Sequence, residues 1–421
     1  MYDWAASSAQ TTIAVAVFPI FFTAVAGAGR PHSVSESYWS LANGVGLAIA
    51  TVLSPILGTI SDYAAVKKRM LGFFMGIGVS ACALMYLIQS GQLLLASILF
   101  IFANVGMQGS YVFYESLLPH VAREDEMDRV STAAYAIGYI GGGILLALNL
   151  AWISKPTLFG LPPTGSLPAR LAFLSVAIWW LLFSIPILRV VKEPPVKLEP
   201  DEQRGLNPVK VAFQRLRETF QALRGYKQAF LMLIAYLIYS DGIGTITRMA
   251  ATYGTELGIP QSSLITAILL VQFVGIPFTF AFGMLAARIG TKPSIFLGLT
   301  VYAIISIFGY FMQTATHFYI LALLVGTVQG GTQALSRSLF ASIIPAYKSG
   351  EFFGFFSVFS RFAGILGSFL FYVIIQQMGT MRPAILAVIM FFIVGGFLLY
   401  FVNVDEGQAK AREEEAKARV A

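Results

Sequence analysis

Six ionisable residues lie inside long apolar stretches of this 421-residue chain: Asp3, Glu115, Asp241, Arg248, Arg337 and Arg361. A charge at the centre of a bilayer costs at least about 2.5 to 3.5 kcal/mol on insertion scales, so each implies a task. Asp241, Thr245 and Arg248 follow at i, i+4 and i+7, which puts an acid, a hydroxyl and a base on one helix face. Asp3, Ser7 and Gln10 repeat that spacing near the N-terminus. A guanidinium such as Arg361 binds a carboxylate through two parallel hydrogen bonds, and a carboxylate such as Asp241 takes an amine or carries a proton. The chemistry is recognition of a small polar solute with both charges, an amino acid or similar zwitterion. The expected solute-binding set is Asp241, Thr245, Arg361, Asp3, Ser7 and Gln333, with Asp241 also the candidate for proton coupling. A competing reading pairs Asp241 with an arginine, Arg361 among them, to join two helices.

Other chemistry is poorly provided for. Cys82 is the lone cysteine, which excludes an intramolecular disulfide or a multi-thiolate metal site. His32, His120 and His317 are far apart and fall in expected loops. No phosphate-binding glycine loop occurs. No catalytic residue, metal or cofactor is expected.

The elements that must position these charges are set by composition. Apolar residues make up 57% of the chain and charged residues 12%, half the usual quarter. Such a chain cannot cover a water-soluble surface, which excludes a soluble enzyme, a nucleic-acid-binding module and a disordered protein. About 20 apolar residues cross a bilayer as a helix, and twelve runs of that kind can be read, at 4–27, 38–61, 70–89, 93–118, 130–153, 171–191, 228–252, 262–286, 293–313, 318–345, 352–378 and 383–403. They lack the alternation of barrel strands. The acidic start, MYDWAA, does not suit a cleaved signal peptide, so the first run is kept as a span.

With both termini in the cytoplasm, 21 of the 28 Lys and Arg residues fall on the inner side, four in outer loops and three within spans. The positive-inside rule therefore fixes that orientation. The expected organisation is an N-terminal six-helix half (1–191), a cytoplasmic linker (192–227), a C-terminal six-helix half (228–404) and a charged tail (405–421). Within the linker, Val209, Phe213, Leu216, Phe220 and Leu223 recur at helical spacing among basic residues, which predicts an amphipathic helix on the inner membrane surface.

The halves also resemble each other. GTISDYAAVKK, from Gly58, aligns with GMLAARIGTKP, from Gly283, at an offset of 225, and YESLLP aligns with FASIIP at 226. Two matches at nearly one offset, with equal topology, predict a parallel repeat, the architecture of major facilitator transporters. Gly58, Asp62, Lys67, Lys68 and Arg69 resemble the signature of that superfamily, with Ala65 standing where the signature has glycine. YDWA at Tyr2 to Ala5, SDG at Ser240 to Gly242, SRS at Ser336 to Ser338 and FFG at Phe352 to Gly354 resemble segments of its Atg22-like (UMF1) family, although Ala6 replaces the usual Asn. The resemblance implies an all-α integral membrane protein of twelve transmembrane helices. From the vacuolar eukaryotic members it also implies amino-acid export. It places a bacterial chain in the inner membrane and a eukaryotic one in a vacuolar membrane.

Asp62, Lys67, Lys68, Arg69, Glu115 and Arg337 sit at the cytoplasmic ends of their spans and are expected to form a cytoplasmic gate. The expected protein is a monomeric secondary transporter, working by alternating access on a small-molecule solute, with protons and membrane lipid as further partners and no nucleic acid. A lipid flippase on the same fold and a non-transporting receptor or scaffold remain as other readings. The glycines at 138 and 141–143 lack the Gly-Pro pair of the superfamily's antiporter signature, which gives antiport no support.

Overall fold

The computed structural model describes residues 1–195, 226–259, 261–362, 365–378 and 382–420. The expected amphipathic helix of the linker lies outside them. The described chain is helical: α1 (Tyr2–Ala26), α2 (His32–Ala64), α3 (Lys67–Leu84), α4 (Leu93–Ser116), α5 (Met127–Ser154), α6 (Leu167–Val190), α7 (Lys227–Glu256), α8 (Gln261–Ile289), α9 (Thr291–Tyr310) and α10 (Ala315–Ser342). After these come α11 (Ser349–Phe362), α12 (Ile365–Met378), α13 (Arg382–Ala387), α14 (Ile389–Tyr400) and α15 (Val404–Val420). Among the described residues eleven stretches are long and apolar enough to cross a membrane. The expected eleventh passage is described as α11 and α12, on either side of residues 363–364. The architecture is that of a twelve-passage membrane protein, with α13 and α14 as the last passage and α15 as the charged tail.

Two apolar cores hold the bundle. One is drawn from residues 2–180 and centres on Phe18, Phe100, Phe173 and Trp180. The other is drawn mainly from residues 226–402 and includes Tyr239, Tyr302 and Phe340. Glycines set the closest approaches: a Cβ on Gly106 would lie 2.5 Å from the Gly78 Cα, which brings α3 and α4 into backbone contact. Leu, Ile and Phe left exposed along α3, α6, α9 and α14 form the outer surface expected to face lipid.

α1 is not a regular helix. Gln10–Ala16 and Phe22–Ala26 are wound as π-helix, and such segments gather at functional sites because they rotate the face the helix presents. α2 ends at Ala65, whose φ of 49° is left-handed. This is the position where the resembled signature has glycine, and the alanine bears the steric cost itself.

Candidate functional site

A cavity of about 620 Å³ lies between the halves, with walls from α1, α4, α5 and α7 to α13. It reaches Met312 and Phe318, at the ends of α9 and α10 remote from Asp62, and its other end holds Asp3, Ser7, Glu115, Tyr135 and Gln333. Of the expected solute-binding residues, Asp3, Ser7 and Gln333 therefore line one space. Gly138 and Gly141 of α5 place the first two: a Cβ on Gly138 would lie 2.7 Å from the Ser7 hydroxyl, and one on Gly141 would lie 2.4 Å from the Trp4 carbonyl oxygen. Only glycines allow α1 so close. Thr11 then donates to the Gly142 carbonyl at 3.4 Å.

Asp3 is buried and accepts the Tyr114 hydroxyl at 2.5 Å. Arg337 approaches the same carboxylate oxygen from α10, Nη1 to Oδ2, at 3.9 Å, so the pair bridges the halves. The guanidinium donates to the Ser131 hydroxyl at 3.0 Å and to the Ser131 carbonyl at 3.2 Å, and it stacks over Tyr135 at 4.5 Å. Several partners are what a buried guanidinium needs, because one Coulombic contact does not offset its desolvation. Its neighbours in the SRS segment point elsewhere, as successive helix positions must. Ser336 accepts the Tyr239 hydroxyl at 2.6 Å, and Ser338 donates to Asp128 on α5. The three residues thus tie α10 to α7, α1 and α5.

Asp241 and Thr245 are placed differently from the expectation. Both are fully buried and neither lines the cavity among the described residues. The Asp241 carboxylate accepts the Leu366 and Gly367 amides, each at 3.0 Å, and the Thr245 hydroxyl at 3.3 Å. These amides open α12, where the first turn of a helix has N–H groups without intrahelical partners and favours a negative charge. Asp241 is therefore an acceptor supplied from α7 to amides near the described start of α12. In the described contacts the Asp241 carboxylate is occupied by backbone amides and Thr245. The side chains of Arg361 and Arg248 lie outside the described ones.

The expected gate residues divide. Asp62 of α2 is buried, pairs with Lys67 at 2.7 Å, and accepts the Gly350 and Glu351 amides at 3.1 and 2.8 Å. Those amides open α11, in the other half, so Asp62 caps a helix across the interface. Lys67 reaches across as well, donating to the Ser349 hydroxyl at 2.7 Å and to His120 at 2.9 Å. Backbone contact seals the joint: a Cβ on Gly58 would lie 2.2 Å from the Gly350 carbonyl oxygen, and one on Gly354 would lie 2.7 Å from the Ser54 carbonyl oxygen. Lys68 instead stays within its own half, with its backbone amide on Glu193 at 3.1 Å and its ammonium on the Val191 carbonyl at 3.0 Å. Arg69 is exposed. Glu115 faces the cavity and Arg337, next to it, pairs with Asp3. Neither His120 and Ser349 at the gate nor Tyr111, Tyr135, Tyr139, Tyr236 and Tyr253 in the cavity wall is an expected site residue; isolated Tyr in an apolar run reads as packing.

Comparison with known proteins bears on this arrangement. The family described as vacuole effluxer Atg22 like matches residues 23–412. The "uncharacterized MFS-type transporter YxiO" of Bacillus subtilis is 38% identical over 404 residues, covering 96% of this chain and 93% of that protein. Autophagy-related protein 22 of Yarrowia lipolytica is 27% identical over 314 residues, 67% of this chain and 51% of that one. Among solved structures, the proton:xylose symporter XylE superposes with a TM-score of 0.72 at 14% identity, covering 99% of this chain and 96% of that one. The transporter FucP in its outward conformation gives 0.70 at 13% identity, with 96% and 97% covered.

Proposed function

We propose that this chain, which belongs to the Atg22-like vacuole effluxer family and has the major facilitator fold of an integral membrane transporter, carries a small amine-bearing solute, an amino acid or similar zwitterion, by alternating access. One observation carries the reading: a cavity between the halves ends on two carboxylates, Asp3 and Glu115, and lies above an interface sealed by Asp62 and Lys67. A solute entering from the side of Met312 and Phe318 meets the acids at the floor, which attract its amine. Its carboxylate would go to Arg361, one helical turn beyond Ser357, which lines the cavity. Movement of the halves then separates Asp62 from the start of α11 and opens the other side.

Asp3 is the better candidate for proton coupling, because it adjoins the solute space and Asp241 does not. The Lys and Arg distribution supports a cytoplasmic gate and two cytoplasmic termini. The family's description as a vacuole effluxer supports passage from the side of Met312 and Phe318 to the cytoplasmic side. Counterflow in proteoliposomes with labelled amino acids, peptides and organic anions tests the reading. Accumulation of an amino acid against an unlabelled internal pool is expected, and its absence across the panel would contradict it.

A further inference from the structure

The charged helix α15 is docked on the bundle beside the joint that Asp62 seals. Asn403 caps its first turn, its side chain accepting the Glu406 amide at 3.2 Å. Gln228, at the start of α7, fastens that end: its Oε1 accepts the Asn403 amide at 2.9 Å and its Nε2 donates to Glu406 at 2.7 Å. One turn on, Gly407 lets the helix backbone down onto the end of α10, since a Cβ there would lie 2.9 Å from the Ile343 Cβ. Ala411 and Glu415 follow at successive i+4 steps on the same face, and Ala411 is buried. The Glu415 carboxylate reaches past α10 and accepts the Ala346 amide at 2.8 Å, an amide that its own turn leaves without a partner. Lys410 and Lys417 pair with Glu413 and Glu414 along the helix, which supports the helix itself.

Ala346 opens the turn Ala346–Lys348, which runs directly into Ser349, Gly350 and Glu351. The opposite half grips those three residues. Ser349 accepts the Lys67 ammonium and donates to the Ser116 carbonyl at 2.8 Å, and the Gly350 and Glu351 amides donate to Asp62. One short segment is thus held by α15 at its first residue and by the other half at its last three. Resting on the reading of that joint as a gate, we infer that α15 is a strap that holds the segment in place for closure, with Glu415 as its positioning residue. A segment already held in its docked conformation loses less freedom when the halves meet, so the strap favours the closed joint. Cutting the Glu415 contact leaves the segment to be ordered at each closure and shifts the population towards the open joint.

The test uses the full chain carrying Ser54→Cys, a buried position within the joint, and reads the rate of thiol alkylation; the native Cys82 is buried away from the joint. Glu415→Ala is expected to raise the rate at least threefold while melting as a folded protein. Glu415→Gln, which keeps an oxygen for the Ala346 amide, is expected to hold the rate of the unaltered strap. Lys417→Ala weakens the helix without cutting the strap and should also leave the rate unchanged. Ala346→Pro removes the donor instead of the acceptor, at the first residue of a turn where proline is tolerated, and serves if Glu415→Ala does not fold. A rate unchanged in the variant used, or raised as much by Glu415→Gln or by Lys417→Ala, would overturn the inference. Gly58→Leu with the same reporter separates the two proposals. Acceleration there without acceleration in Glu415→Ala would sink the strap and leave the gate, whereas no acceleration in either would sink the gate together with the strap that rests on it.

Discussion

Arg337 of α10 lies 3.9 Å from the Asp3 carboxylate of α1, so the floor of the central cavity is itself a bridge between the halves. The contact is long for an ion pair, and the guanidinium is held chiefly by Ser131 and the Tyr135 ring. Removing one partner of a buried pair leaves the other charge without compensation, a loss of about 3 to 5 kcal/mol where no solvent reaches. Arg337→Met should therefore lower the melting temperature more than Asp3→Asn, because Asn keeps an acceptor for Tyr114. The double variant should recover part of the loss, with a coupling of about 0.5 to 3 kcal/mol in a thermal-denaturation cycle. Strict additivity would show that the two side chains do not interact.

Gly58 and Gly350 are in backbone contact across the gate. A Gly58→Leu substitution has no room, since its Cβ alone would lie 2.2 Å from the Gly350 carbonyl oxygen. The wedge should force the Asp62 side open and shift the population towards the opposite-facing state. Spin labels placed on the ends of α2 and α11 near Asp62 should report a longer distance, and an unchanged distance distribution would refute the gate.

Asp62→Ala should act at the same joint by a different route. It strips the Gly350 and Glu351 amides and the Lys67 ammonium of one shared acceptor. A buried donor left unsatisfied costs about 1 to 3 kcal/mol, enough to change a two-state ratio by roughly 5- to 150-fold. Alkylation of a cysteine introduced within the joint, at Ser54, should accelerate, whereas Arg69→Ala, at an exposed site, should leave it unchanged.

Ala65 offers a gain of stability. Its left-handed backbone costs a residue with a Cβ about 1 to 2 kcal/mol. Ala65→Gly removes that cost at the end of α2, and the melting temperature of the purified protein should rise. A fall would show that the turn is held by contacts of the methyl group.

Legibility of these features in the sequence followed the range of the forces involved. Spans and halves were readable because they depend on local apolar runs and on a repeat. The contact between Asp62 and Lys67 is readable for a related reason, since the two lie five residues apart in one short loop motif. Asp241 was misplaced because its partners are amides 125 and 126 residues away, and nothing in residue types reveals an acceptor's need for backbone donors. Lys68 and Arg69 look equivalent to Lys67 in a basic cluster, but helix geometry turns successive residues by about 100°, and only Lys67 faces the other half. The tyrosines of the cavity wall carry no charge to mark them.

The most direct test of the central claim, that solute is held at the Asp3 floor and not at Asp241, is amino-acid counterflow in proteoliposomes for Asp3→Asn and Asp241→Asn beside the unaltered chain. The account predicts that Asp3→Asn reduces counterflow at least tenfold while melting as a folded protein. It predicts that Asp241→Asn, which keeps an oxygen acceptor for the α12 amides, retains the substrate affinity of the unaltered chain. Preserved affinity and flux in Asp3→Asn together with lost substrate affinity in a folded Asp241→Asn would contradict it.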